Sequence, residues 1–544
     1  MISLFYNPPN PYGRYGMDHF IRRSGIPFET ELSVQGGVLS YGRGVEDLFS
    51  IKIQKNSIQN RICGRVSCGN TPVAVCEMPE NTGHGEKELA FFTSGETNYP
   101  CVTRHAGGID VGVDIFQETG YLLSGHLDRI RAEMDGPDRE MSASHPSVDI
   151  LEDLLMAAVF DGCRTLHVPL VRKSPWPDAK KFAVCLTHDV DEVKKTYQWL
   201  TRPARCLRHG DFSGLKNQFL SMLGKIRGVE PYWTFDDIAA TEKHFNAKST
   251  FFFLKESGKP SFLSPRTWNL YGRCHSYREP GVIDAIQVVS GYGSEVAVHG
   301  SFYSYSSLAL IKNETDELEA MIGEKVVGTR QHHLNLSVPA TWDYQAAAGL
   351  SYDSSLGFKD RSGFRWGTSY PFFPFTGTVP QGICEIPLII MDISILSHAE
   401  PLAECLGMAD EVEPVGGVLT LLWHPPVFNA FEFPGAGEIY YKIIEHSVQR
   451  NAWITCAKDI ISWLRRREAL DVSFRKEGTT FLITMSDFEG DGYLSVYSSG
   501  HAGPELSENA TLLRKESSSA GDMECFYIRA GPAGKNNGIV VSIR

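Results

Sequence analysis

Runs of apolar residues long enough to cross a bilayer as a helix, roughly 18 or more, do not occur in this sequence. Met1-Ile2-Ser3-Leu4-Phe5-Tyr6-Asn7 lacks the basic stretch and apolar run of a secretory signal, so the expected location is the cytoplasm. There is no CxxC pair, which argues against a cysteine zinc site; the 12 cysteines are scattered singly and read as reduced, mostly buried thiols. No Gly-rich phosphate loop of the P-loop kind appears, and no Gly-x-Ser-x-Gly elbow surrounds Ser301, so a P-loop nucleotidase or a serine hydrolase is not expected. Lys/Arg runs are short, Arg465-Arg466-Arg467 being one, and the net charge is -13; a nucleic-acid partner is not expected. Internal repeats and low-complexity tracts are absent as well.

What is present is a soluble-protein composition, 42% hydrophobic and 22% charged, over 544 residues. That length exceeds one ordinary core and implies two or three domains. Residues 1–178 mix short β-type runs (Val73–Cys76, Leu89–Phe92) with the helical spacing of Asp114–Leu123, and read as an α/β domain. Arg172–Asp178 has two prolines and suits a connection. From 179 to 467, apolar runs at Phe182–Leu186, Ser249–Leu254, Glu295–Val298, Ile386–Ile390 and Val418–Leu422 read as strands buried on both faces. Helical patterns fall at Phe235–Phe245, Leu308–Ile322 and Ile439–Gln449. Alternation of this kind implies a parallel sheet, open or closed into a barrel. In 468–544, Thr479–Met485 and Tyr493–Tyr497 alternate between Gly-containing turns, the pattern of a small β-sandwich.

Several of the buried runs end in chemistry. The first leads into Thr187-His188-Asp189-Val190-Asp191, the third into His299 and the last through Trp423 into His424, while Arg330-Gln331-His332-His333 follows Val326-Val327. Functional side chains of parallel α/β folds gather at the carboxyl ends of strands. Singly, a strand-end His is more often structural than a ligand, and an Asp there is often a helix cap. Together, carboxylates and imidazoles converging on one face form a ligand set for Zn²⁺ or a similar divalent ion.

Leu186–Asp191 resembles the first motif of the polysaccharide deacetylase superfamily, carbohydrate esterase family four, in its Asp-x-Asp form. His299-Gly300-Ser301, Arg330-Gln331-His332, Tyr352-Asp353-Ser354-Ser355-Leu356 and Leu421-Leu422-Trp423-His424 resemble its later segments in the family's order, over about half the chain. The segment from Phe116-Gln117-Glu118 to Asp135-Gly136-Pro137 resembles a domain found ahead of such deacetylase-like domains in bacterial chains. The resemblance implies a distorted (β/α) barrel, a bound divalent metal with zinc as the expected ion, and hydrolysis of an acetamido group on a saccharide. By position it implies Asp189 as general base, Asp191 and His299 as metal ligands, Arg330 as the partner that holds Asp189 ionised, and His424 as general acid. The pattern departs at Tyr303, where the family has a second histidine four residues after the first, and at Val190, in the place of its second Asp. His332 is the expected replacement ligand, with His333 as the neighbouring alternative.

Thr234-Phe235-Asp236-Asp237 is a closer literal match to the family's first motif, but it opens a helical run and reads as a helix start, with Thr234 and Asp237 as capping pair. Asp353 is balanced between fixing a turn and the site, Arg365 between a carboxylate partner and substrate; Tyr370, Phe372, Phe373 and Phe375 read as core. A competing function is a degenerate barrel that only binds carbohydrate. A weaker one keeps the metal and cleaves an ester or a cyclic amide.

Overall fold

In the computed structural model, the described residues are all except 1, 6–9, 30–37, 42–49, 55, 60, 69–70, 134–136, 258–260, 262, 264–269, 271, 376–381, 487–488, 500–502, 518–522, 532–538 and 544. The Asp135-Gly136 end of the N-terminal resemblance lies outside them. Of the eleven cysteines whose side chains are described, ten are buried and Cys206 is half-buried. No described helix is long and apolar enough to cross a membrane.

The N-terminal part carries a nine-stranded mixed sheet. Pairing is parallel from Phe28–Glu29 to Gly108–Val111 and antiparallel across Thr97–His105, Lys87–Ser94, Gly64–Cys68 and Thr71–Val75. Helix Ile115–Tyr121 starts where Asp114 accepts a bond from the Gln117 amide, at 3.1 Å, which satisfies one of the free amides of the first turn. It crosses helix Pro11–Ser24 backbone to backbone. A Cβ on Gly16 would lie 1.9 Å from the Phe116 carbonyl oxygen and one on Gly120 1.9 Å from that of Tyr12, so the crossing requires both glycines.

The central sheet is entirely parallel. Its strands are β1 (Ala183–Val190), β2 (Thr250–Leu254), β3 (Glu295–Gly300), β4 (Gly328–Gln331), β5 (Tyr352–Asp353), β6 (Cys384–Glu385), β7 (Ile390–Met391), β8 (Val418–Leu422) and β9 (Trp453–Thr455), in the spatial order β6-β5-β4-β3-β2-β1-β8-β7 with β9 beside the start of β1. Helices Phe235–His244, Leu308–Ile322 and Ala436–Gln449 fall where the apolar spacing predicts them. The apolar run Ile386–Ile390 is not one strand. Pro387 has no amide hydrogen to donate to a ladder, and the run instead joins the two ends of the curled sheet. The Ile386 amide bonds to Asp353 on one side and the Ile389 amide to Thr420 on the other. The sheet is thereby bridged by chain rather than by a strand pair.

The stretch expected to be a mere connection begins with a strand, Leu170–Lys173, which pairs antiparallel with Gly492–Ser498. Together with Leu170–Lys173, the described C-terminal residues form two four-stranded antiparallel sheets that share one apolar cluster, including Val171, Ile483, Val496, Phe526 and Val541. Arg467 ties these parts together: it is buried, and its guanidinium donates to the carbonyls of Arg22, Arg23, Lys173 and Ser174.

Candidate metal centre

Alternation along β1 sorts its motif. Thr187 and Asp189 turn toward Arg330 inside the sheet, whereas His188 turns outward, its ring bonded to the Trp423 carbonyl at 2.6 Å and to Glu242 at 2.9 Å and stacked on Phe251. His188, part of the expected reaction centre, is therefore a buried packing residue. Beyond the end of β1, Asp191 returns to the inner side.

Because every strand of the sheet runs the same way, the carboxyl ends of β1, β3 and β4 bring their side chains together. Asp191, His299 and His332 each offer a ligand atom, and these atoms lie within 4.8 Å of one another. His299 Nε2 is 3.2 Å and His332 Nε2 3.7 Å from Asp191 Oδ1. Two of these atoms, Asp191 Oδ1 and His332 Nε2, are buried without a hydrogen-bond partner. Orphaned polar atoms aimed at one another are costly unless something charged sits between them, so the donor set fits a divalent cation. His332 rather than His333 joins the group. The turn His332–Leu334 holds His333 at φ 59°, a left-handed conformation, and stacks its ring on His332 at 4.1 Å. Tyr303 is half-exposed, packed edge-on against Phe302.

Each imidazole is oriented by its other nitrogen. His299 Nδ1 donates to the Arg330 carbonyl at 2.8 Å, leaving Nε2 its lone pair in the neutral ring. His332 Nδ1 bonds to Glu256 at 3.1 Å. His424 Nδ1 lies 2.9 Å from Asp392 Oδ1, and its amide donates to the same carboxylate at 2.6 Å. Asp191 Oδ2 pairs with Arg273 at 2.7 Å. Arg330 is wholly buried: Nη1 donates to Asp189 Oδ1 at 3.0 Å and to Thr187, Nε and Nη2 donate to Ser354, and the guanidinium lies over Phe252. Asp189 thus meets the guanidinium through Oδ1, while its Oδ2 lies 3.5 Å from His299 Nε2.

Burial opposes charge on Asp191, but Arg273 and the two imidazoles outweigh it and hold its carboxyl well below the usual range. Burial would lower His424, yet the Asp392 carboxylate, with smaller help from Asp191 and Asp189, pushes it up to about 9. Burial wins at His333, which falls to about 3. The centre opens into a cavity of about 180 Å³ and, through shared residues Asp191, Arg273, Ile393 and His424, into one of about 1000 Å³.

Sequence reading missed Glu256, Arg273 and Asp392. Glu256 and Asp392 stand just past the ends of β2 and β7, so the strand-end rule already applied to His299 and His424 would have found them; Arg273 follows no strand and had no such signal. Asp353 is buried at the end of β5, its carboxylate accepting from the Ser355 hydroxyl at 2.7 Å and the Gln345 side chain at 3.0 Å. Arg365 pairs with Asp128 of the N-terminal part at 3.0 Å. Tyr370, Phe372 and Phe375 are core, Phe375 stacking on Tyr15. Phe235 does open a helix, but the Thr234 hydroxyl donates to the Pro425 carbonyl at 2.7 Å and does not cap it.

No family model and no curated protein matches this sequence. Solved structures do. A protein from Mycobacterium smegmatis assigned as a polysaccharide deacetylase is 18% identical with a TM-score of 0.35, over 56% of this chain and 97% of its own. Puue allantoinase is 15% identical with a TM-score of 0.33, over 53% and 91%. A CE4 family pseudoenzyme from Bacillus anthracis is 11% identical with a TM-score of 0.27, over 52% and 66%. Likeness this distant carries no functional argument, and the reading that follows stands on residues of this chain.

Proposed function

We propose that this chain is a metal-dependent amidohydrolase that removes an acetyl group from an N-acetylated saccharide, a cleavage of a non-peptide C–N bond. The observation that carries the reading is the convergence of Asp191, His299 and His332 on one point with two of their ligand atoms buried and unpartnered. Three protein ligands with an open position are what a catalytic Zn²⁺ site uses, and the mixed His/Asp donors favour that ion. Bound there, a divalent cation supplies Lewis acidity toward the amide oxygen and toward water.

The chain's own groups do the rest. Asp189, its Oδ1 taken by Arg330, presents Oδ2 to accept the proton of the attacking water. Arg330 keeps that carboxylate in place. His424, raised to about 9, is an imidazolium at neutral pH and returns a proton to the leaving amine, while Asp392 steadies its Nδ1 side. We read 1–178, 179–467 and 468–544 as three modules, the last a small β-sandwich.

The test is elemental analysis of the purified full chain together with acetate release from N-acetylated chitooligosaccharides. The expected result is about one transition metal ion per chain, lost on His332→Ala, with acetate released by the unmodified chain only. Metal-free protein without acetate release would replace this reading by carbohydrate binding alone.

A further inference from the structure

Helices Gln198–His209 and Phe212–Ile226 form a pair beside the larger cavity, and the second is inverted. A surface helix ordinarily buries its apolar stripe. Here Phe212, Leu215, Phe219, Met222 and Ile226, spaced by three and four, form one stripe. Phe212 is 79% and Ile226 74% exposed, with Phe219 and Met222 also exposed. The inward side is polar: Gln218 and Ser221 are buried, Gln218 accepting from Lys195 at 2.7 Å, and Asn217 lines the cavity. On the first helix, Leu200 and Leu207 are exposed in the same way.

The charge on this pair is also unlike the rest of the chain. Between 198 and 229 stand Arg202, Arg205, Arg208, Lys216, Lys225 and Arg227 against the lone acid Asp211, in a chain of net charge -13. Arg205, Arg208, Lys216 and Arg227 are exposed and make no ion pair among the described residues. Apolar stripes flanked by basic side chains suit the headgroup region of an anionic bilayer. Two copies paired through the same patch would face like charges with like.

We propose that this helix pair is a docking element that seats its apolar stripe in an anionic lipid surface. The cavity it walls reaches Asp191, Arg273 and His424. Combined with the hydrolase reading, on which this last point rests, docking would present the centre to a saccharide carried on a lipid.

The experiment is co-sedimentation of the full chain with phosphatidylglycerol-containing vesicles and with pure phosphatidylcholine vesicles. Strong binding to the first and little to the second is expected. F212S/F219S/I226S should weaken it about tenfold or more, as should R205Q/R208Q/K216Q/R227Q or high salt. All of these side chains are exposed, so unchanged circular dichroism and metal content should accompany the loss. Failure to sediment with either vesicle, or equal binding by both variants, overturns the proposal. So does lipid-free self-association that the triple apolar variant abolishes without vesicle binding, which would assign the face to a second copy. Since binding is read without turnover, an inactive chain that still docks would sink only the hydrolase reading.

Discussion

Two buried carboxylate groups in this molecule face opposite fates. In the N-terminal part, Glu77, Asp114 and Glu118 are buried together, and their hydrogen bonds come from donors such as the amides of Asp114 and Cys76 and the side chain of Asn56. Burial, with repulsion from Glu118 and Asp114, pushes Glu77 well above the usual range, and burial takes Glu118 to about 7. At the carboxyl ends of the curled parallel sheet, Asp191 is also buried but faces Arg273, His299 and His332, and goes the other way. Burial alone discharges a carboxyl; a fixed cation within bonding distance keeps it charged. Carboxyl groups are therefore pushed toward their protonated form in one place and held anionic in the other.

The comparison breaks most severely if Asp191 is not a ligand. Asp191→Asn or His299→Ala should abolish metal retention and lower kcat/KM on the order of a thousandfold or more. His332→Ala should do the same while His333→Ala leaves the metal bound, and equal metal loss from both would mean that the turn, not a particular imidazole, holds the ion. A smaller effect is expected at the acid: His424→Gln should lower kcat about 10²- to 10⁴-fold. The unmodified chain should lose activity as pH rises through about 9, because a raised imidazole is protonated below that value and spent above it. Asp392→Asn should move that limb down toward the ordinary imidazole range, followed by pH–rate profiles. Smaller again, Glu256→Gln should weaken metal affinity about 10- to 100-fold by loosening His332, measured by chelator competition.

The mildest test concerns the other cluster. Glu118 is raised from 4.5 to about 7, so the folded state loses stability as pH climbs between those values and gains none of it back above. Glu118→Gln mimics the protonated acid and can still accept from the Cys76 amide. It should flatten that decline and raise Tm at pH 8 by about a few degrees, with little change near pH 4.5. A variant less stable at pH 8 would show that the cluster is charged after all.

How much of this was legible beforehand follows from locality. Strands β1, β2, β3 and β8 announce themselves as uninterrupted apolar runs, and the helices by their three-and-four spacing. Ile386–Ile390 misled because a run of buried apolar residues looks alike whether it lies in a ladder or crosses between two sheet ends; only Pro387 hinted otherwise. His188 misled for a related reason, since adjacency in a motif says nothing about the face a strand residue takes once its neighbours dock. Leu170–Lys173 could not be placed at all, its partner being more than three hundred residues away.

By itself the sequence marked Asp189, Asp191, His299, Arg330, His332 and His424 as polar residues that follow short apolar runs, because residue type and apolar periodicity are local properties. Tertiary structure alone decided that His332, not His333, meets Asp191 and His299, that Glu256 and Asp392 orient the imidazoles, and that the helix at 212–226 turns its apolar side outward. Those outcomes depend on distances between segments far apart in the chain, and such distances exist only once the sheet has curled and the helices have packed against it.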